Sequence, residues 1–527
     1  MTTDDAQLKA HALHIPELLN IIRESIDDND WLNLMKTCRT IFSIIASSVW
    51  SEVEAQVLLD LIVEKPQLAA GSEGPAGTAS SVDFSRFDTY APFVRQLRIY
   101  GRTARYFKGE RRQICLTRAQ QEPLLPRLVS VTMMTNDLYH DSDALLWLDL
   151  FLGPSLRELR VTPITKSYSA WVSFPATCAL LDRLATTCPN IEKLEFYPLD
   201  ITRRSGRHSD NSTGILWPTT SRPDFSTFTQ LRRIITSIGI LDDRGFAALG
   251  VLPRLQSLTI NGCGESPIGL QLDVLDDSFP ALTQLHLLDI DTTNLATIMQ
   301  VKQLAQGLTS LRLSQAFSLV ETDFQYCESW LSQTIPSLLE HTSQLKKFTY
   351  TAVKMFGSLP GRYSVYRIDY MPLLHALSKN PLQQVSLLGL CFIDDDYLKH
   401  LPTAFPLLSV LRLSLQPIFE NDLWWFAKLP RLRHLLLHTI ILREIPRSLP
   451  KLQNSLETIE SSFELYSGCP EPSQVASYFL TLWPHLRRIS LLGSTYVPGF
   501  LEMLNEEIEV MRLIKLTAGA QLDDIQV

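Results

Sequence analysis

The chain has 527 residues, 45% of them apolar and 20% charged, with a formal net charge of −8. That length exceeds one ordinary compact core and points to several domains or a repeat array, and the composition excludes a disordered chain. Residues 1–65 hold 11 acidic against 5 basic side chains, so most of the negative charge sits at the start, and a general nucleic-acid or anionic-membrane surface is excluded for the nearly neutral remainder.

The first patterned stretch is Leu13-His14-Ile15-Pro16-Glu17-Leu18-Leu19. Pro16 suits the first position of a helix, where its missing N–H would be unbonded anyway. Leu18, Leu19, Ile22 and Ile26 then recur at helical spacing. Asp27, Asp28, Asn29 and Asp30 interrupt the pattern and cap a second helix carrying Trp31, Leu32, Leu34 and Met35 toward Cys38. A third helix is expected through Ile41, Phe42, Ile44, Ile45, Val49 and Trp50, reaching Ile62. Three short helices do not bury this much apolar surface alone, and surplus apolar surface marks a partner-binding element.

Ile15, Pro16, Glu17, Leu18, Leu19, Ile22, Leu32, Cys38, Val49 and Trp50 fall where the F-box family places its signature residues, and the stretch resembles an F-box. Ile15 departs from the usual leucine, and Trp31 stands where leucine is common. The resemblance implies that these ten residues contact a Skp-type adaptor and, through it, a cullin–RING ubiquitin ligase. Without the resemblance, the same helices read as an ordinary cap on the array that follows.

Residues 66–82 are small, Gly- and Pro-containing and nearly uncharged, the composition of a flexible linker. From Phe93 onward one pattern recurs: apolar, two variable, apolar, one variable, apolar. It runs from Val94-x-x-Leu97-x-Ile99, through copies such as Leu255-x-x-Leu258-x-Ile260 and Leu408-x-x-Leu411-x-Leu413, to Leu486-x-x-Ile489-x-Leu491. Leu231/Ile234 and Leu456/Ile459 begin degenerate copies. This is the leucine-rich repeat signature. The last two apolar positions alternate, so a short strand buries both. The residues between copies return the chain along the outside, as helices near Phe246–Leu249 and Tyr397–Leu401. Pro126, Pro154, Pro189, Pro253, Pro280, Pro406, Pro430 and Pro484 precede their copies at nearly constant offset and should end each return and force extension. Cys188-Pro189-Asn190 and Cys391-Phe392-Ile393 resemble the cysteine-containing repeat class frequent in F-box proteins, which implies structural cysteines at the strand-to-helix bend. The segment from Phe84 to Leu97 is similar to one in fungal F-box/leucine-rich proteins. Apolar spacing from Phe500 to Leu516 predicts a helix capping the open end.

The reading is thus an α/β chain: an N-terminal three-helix F-box-like module over 1–65, a flexible linker over 66–82, and a curved leucine-rich repeat solenoid with a C-terminal helical cap over 83–527. No phosphate loop, H-E-x-x-H or G-x-S-x-G motif occurs. Eight cysteines stand singly with no C-x-x-C, the pattern of reduced thiols in a cytoplasmic or nuclear protein. No apolar run approaches the ~20 residues of a membrane helix. No enzyme activity, cofactor, metal, nucleic acid or membrane partner is expected. Variable strand positions should face a concave binding surface, and Arg160, Lys193, Glu195, Tyr197, His286, Arg312, Lys347, His434 and Arg488 are the candidate target contacts. Their mixture of charges indicates no single ligand class. The function implied by the resemblance is the substrate-recognition subunit of a Skp–cullin–F-box ubiquitin ligase, binding an unknown protein target through the array. The alternatives are a leucine-rich scaffold or adaptor outside any ligase and a regulator of a small GTPase.

Overall fold

The structure is a computed structural model. It describes residues 21, 27, 30, 33–34, 36–37, 39–64, 82–101, 110–135, 142–164, 171–199, 225–240, 243–262, 272, 275–290, 292–317, 330–354, 367–368, 371–389, 391–392, 395–446, 454–465, 471–490 and 499–523. The chain falls into two compact units, Met1–Ile240 and Leu241–Val527.

In the first unit the main sheet is built from β1 (Glu52–Glu54), β2 (Gln96–Tyr100), β3 (Ser130–Met134), β4 (Glu158–Thr162), β5 (Lys193–Glu195) and β6 (Arg233–Ser237). Each strand pairs in parallel with the next one in sequence. The second unit continues the same scheme with β7 (Ser257–Asn261), β8 (Gln284–Leu288), β9 (Ser310–Phe317), β10 (Lys347–Lys354), β11 (Gln384–Leu388), β12 (Val410–Phe419), β13 (His434–Leu442), β14 (Thr458–Leu465) and β15 (Arg488–Ser490). There too every neighbour in the sheet is the neighbour in sequence, and every pair is parallel. Parallel neighbours require the chain to cross back between strands. Each unit is therefore a leucine-rich-repeat-like α/β solenoid.

The repeat apolar positions make the core. Leu97, Val131, Leu159, Leu194 and Ile234 stand in register across the first unit, all within 2% exposure. Leu258, Leu285, Leu311, Phe348, Val385, Leu411, Leu435, Ile459 and Ile489 do the same across the second, at 0–1% exposure. Return helices close the core from one side. Helix α2 (Phe174–Thr187) buries Phe174, Cys178, Leu181 and Leu184 along one face. The eight prolines all sit in exposed turns just before a strand, as their lack of an N–H demands.

Three features differ from the sequence expectation. The helix expected to reach Ile62 is α1 (Arg39–Val49) and stops at Val49. Residues 52–54 instead form β1, with Val53 in register with Leu97. A Glu-Val-Glu strand lacks the leucine pattern, so the sheet begins one strand before the repeats become legible. Second, Cys188 is buried at the end of α2, on the helix-to-strand turn rather than the strand-to-helix bend. Third, the terminal helix α4 (Phe500–Asp523) runs beyond Leu516. It does cap the last strand: Asn505 accepts from the Ile489 N–H and donates to the Ile489 carbonyl, both at 3.0 Å, so an amide side chain takes the place of a further strand.

Residues 65–81, nearly all of the expected linker, lie outside the described residues. Their flanks are fixed side by side, because Val63 pairs with Asp83 and Glu64 with Val82 in an antiparallel ribbon.

Candidate interaction surface

Side chains alternate across a strand, so the residues flanking each buried core position project from the opposite face of the sheet. Parallel register arranges them in rows. In the first unit one row is Glu52, Gln96, Ser130, Glu158, Lys193 and Arg233, and the next is Glu54, Arg98, Thr132, Arg160, Glu195 and Ile235.

Several charges of this first face pair with one another. Glu158 meets both Arg160 and Lys193, the latter at 3.5 Å, and Arg98 meets Glu52. Along the N-terminal ends of the strands, Glu192 lies 3.2 Å from Arg157 and 4.0 Å from Arg232. Three of the expected contacts, Arg160, Lys193 and Glu195, therefore belong to one patch. Tyr197 does not present its ring there. It is 8% exposed, and its hydroxyl donates to Glu195 Oε1 at 2.7 Å, so it holds the carboxylate in place. Burial pushes the Glu195 carboxyl above the usual glutamate range, against the opposing pull of the Tyr197 hydrogen bond and of Arg160 and Arg233.

The second unit's rows are Ser257, Gln284, Ser310, Lys347, Gln384, Val410, His434, Thr458 and Arg488, then Thr259, His286, Arg312, Thr349, Ser386, Arg412, Leu436, Glu460 and Ser490. Arg312, Lys347, His434 and Arg488 are exposed on this face, as expected. His286 is half-buried, with Nδ1 3.4 Å from Thr259 Oγ1. Ser257 and Thr259, at the start of the rows, are buried at 7% and 5% exposure.

A depression of about 240 Å³ opens on this face among Val410, Arg412, His434, Leu436, Thr458 and Glu460. His434 Nδ1 lies 2.7 Å from Thr458 Oγ1, which fixes the imidazole at its rim. Another depression, about 590 Å³, lies beside α3 (Pro472–Leu482), lined by Tyr478, Thr481 and Met511 and bearing no charged side chain. Val410, Arg412, Leu436 and Glu460 were not among the residues singled out from sequence. Applying the repeat register uniformly finds them, since each occupies the position that Lys347 or Arg312 holds in its own repeat.

Of the ten expected adaptor contacts, Ile15, Pro16, Glu17, Leu18, Leu19, Ile22, Leu32 and Cys38 lie outside the described residues. Val49 ends α1 at 40% exposure. Trp50 is half-buried and stacks on Tyr90 with ring centroids 4.2 Å apart, while Phe42 meets Tyr90 and Phe93 at 6.0 and 6.2 Å.

Among the described residues no group of three or more His, Cys, Asp or Glu is placed to hold a metal, and no helix is long and apolar enough to cross a membrane.

No protein-family model matches the sequence, and no curated protein matches it. Among solved structures the chain is similar to an internalin (inlF) from Listeria monocytogenes, at 12% identity and TM-score 0.32, covering 67% of this chain and 79% of that one. It is similar to a chain of the Rad7 and Elc1 complex in yeast, at 14% identity and TM-score 0.34, covering 71% and 77%. It is similar also to a chain of the TLR13–ssRNA13 complex, at 13% identity and TM-score 0.30, covering 76% and 62%. At these identities and scores the likeness carries no argument about ligands. The class of this protein rests on its own register and core.

Proposed function

We propose that the chain is a non-catalytic protein-interaction platform that binds partners on the sheet faces of its leucine-rich-repeat-like units. One observation carries this: rows of mostly polar and charged side chains lie opposite a core in which each repeat leucine is essentially inaccessible. Polar side chains held on a strand scaffold have fixed spacing, which suits recognition by complementarity.

The test is a comparison of tagged full-length chains purified from cells. One variant carries Gln284→Lys and Thr349→Glu on the sheet face, and another carries Thr186→Lys on the helix side. Partners held by wild type should be lost by the face variant and kept by the helix variant. Loss from both alike, or from neither, contradicts the reading.

The finer proposal is that the platform recruits targets to a Skp–cullin–F-box ligase, with residues 1–65 as the adaptor-binding module. Support comes from the sequence resemblance spanning Ile15 to Trp50. Hydrophobic anchors dominate such interfaces, so Pro16→Ala with Leu18→Asp should abolish capture of a Skp-type adaptor. The array should melt as before, and Asp4→Asn with Asp5→Asn should change nothing. Adaptor capture that survives the double variant returns the chain to the scaffold reading.

A further inference from the structure

The two sheet faces differ in how their charges are used. In the first unit five of the seven cations at the equivalent positions, Arg98, Arg157, Arg160, Lys193 and Arg232, meet acids of the same face, and among the described residues only Arg95 and Arg233 form no ion pair. In the second unit, the variable positions of the nine repeats hold seven cations, Arg312, Lys346, Lys347, Arg412, Arg433, Arg487 and Arg488, against two acids, Glu457 and Glu460. All seven cations are exposed, and among the described residues none forms an ion pair. This excess sits on a protein whose net charge is −8. Clustered charge of one sign, unneutralised by its own fold, sets up a local field that attracts the opposite charge.

The same face has two apolar side chains at its variable positions, Val410 and Leu436. They are diagonal neighbours across β12 and β13, both half-buried, and both line the depression beside Arg412. Apolar side chains at the centre of a polar surface act as an anchor for a partner's apolar side chain. Among the described residues the variable positions carry no Phe, Tyr or Trp, the large rings on which bases stack best, and their two imidazoles, His286 and His434, lie 3.4 and 2.7 Å from Thr259 and Thr458 hydroxyls. Glu460, on the rim of the depression, also disfavours a continuous polyphosphate backbone.

We propose that this face binds an extended acidic polypeptide segment bearing one bulky apolar residue. The apolar residue seats on Val410 and Leu436, and carboxylates on either side lie against Lys347 and Arg412 in one direction and Arg488 in the other. From β9 to β15 the sheet takes six strand steps of about 4.8 Å, about 29 Å in all, which about nine residues of extended chain would span. The proposal rests on the platform reading and adds the chemistry of the partner.

The probes are a fluorescent twelve-residue peptide of Asp and Glu with a central Leu, the same peptide with Ser for Leu, its all-Lys counterpart, and single-stranded DNA of twelve nucleotides. Anisotropy with the full chain at low salt should show binding of the acidic Leu peptide that weakens as salt rises. Lys347→Gln with Arg412→Gln and Arg488→Gln should weaken it about tenfold or more, and Ser for Leu about fivefold. Lys302→Gln with Lys379→Gln, away from the face, should leave it unchanged. Thermal midpoints of all variants should match wild type, since every substituted residue is exposed. An all-Lys peptide that binds as well, a triple variant within about twofold of wild type, or DNA that binds more tightly than the peptide overturns the proposal. If any of these occurs while the face variant still loses cellular partners, the acidic specificity fails and the platform reading stands.

Discussion

At the residue scale, the polar side chains that matter most are those the repeat pattern leaves blank. Asn380 is buried and accepts from Thr342 Oγ1 at 3.1 Å and from the Leu345 N–H at 3.4 Å, and buried Asn454 donates to the Ala427 and Leu482 carbonyls at 3.3 and 2.6 Å. Both join neighbouring repeats where backbone groups would otherwise be buried unbonded. The leucines themselves behave as their spacing requires. Leu258→Ala and Leu411→Ala should each cost about 2–5 kcal/mol in denaturant unfolding, through lost burial and the cavity left behind. Ser409, whose exposed hydroxyl donates to the Gln383 carbonyl at 2.9 Å, should cost about 1 kcal/mol or less as Ala. Equal losses at the serine and the leucines would mean the register is wrong. Glu195 gives a pH signature. Its folded carboxyl holds its proton at pH values where the unfolded chain has lost it. Its contribution therefore falls as pH rises from the ordinary glutamate range to the raised folded value, and levels off above it. Glu195→Gln should remove that decline, so the variant should gain on wild type in thermal unfolding as pH rises above the ordinary glutamate range. Parallel profiles for the two proteins would contradict the burial.

At the element scale, the repeat unit was legible because its buried positions recur at one fixed spacing, and its prolines mark where each return ends. What escaped reading were the parts without a period. Glu52-Val53-Glu54 is a strand only because Leu97 and its neighbours offer it a partner. Asn505 lies in an unremarkable helix, yet it closes the last strand with a pair of hydrogen bonds. Asn505→Ala should leave the Ile489 N–H and carbonyl unbonded, cost about 1–3 kcal/mol, and increase self-association at the bared edge, as light scattering would show. A stable, monodisperse variant would mean that the edge is protected in some other way. Gly389 marks a bend after β11 with φ of +81°, and a Cβ there would stand 2.2 Å from the Ala352 carbonyl oxygen. Gly389→Ala should cost about 2–4 kcal/mol, from the left-handed backbone and the clash together. A thermal midpoint equal to wild type would show that the bend relaxes.

At the scale of the whole molecule, the sequence announced an array and a face of variable positions, but not how that face is charged. Charge counts along the chain average the two units together. Register separates them, because it sets Glu158 beside Lys193 in the first unit and leaves Lys347 beside Gln384 in the second. The resemblance at Ile15 to Trp50 is what suggests a particular partner for the proposed function, while the rows of the sheet define only a surface. Partners should bind on this surface. A photo-crosslinking amino acid placed singly at Gln284, Gln384 and Arg433 on the sheet face, and at Thr186, Lys302 and Ser477 on the return side, tests it directly in cells. Crosslinked partner bands should come from the three face positions, and few from the other three. Crosslinks concentrated on the return side, with the face positions silent, would contradict it.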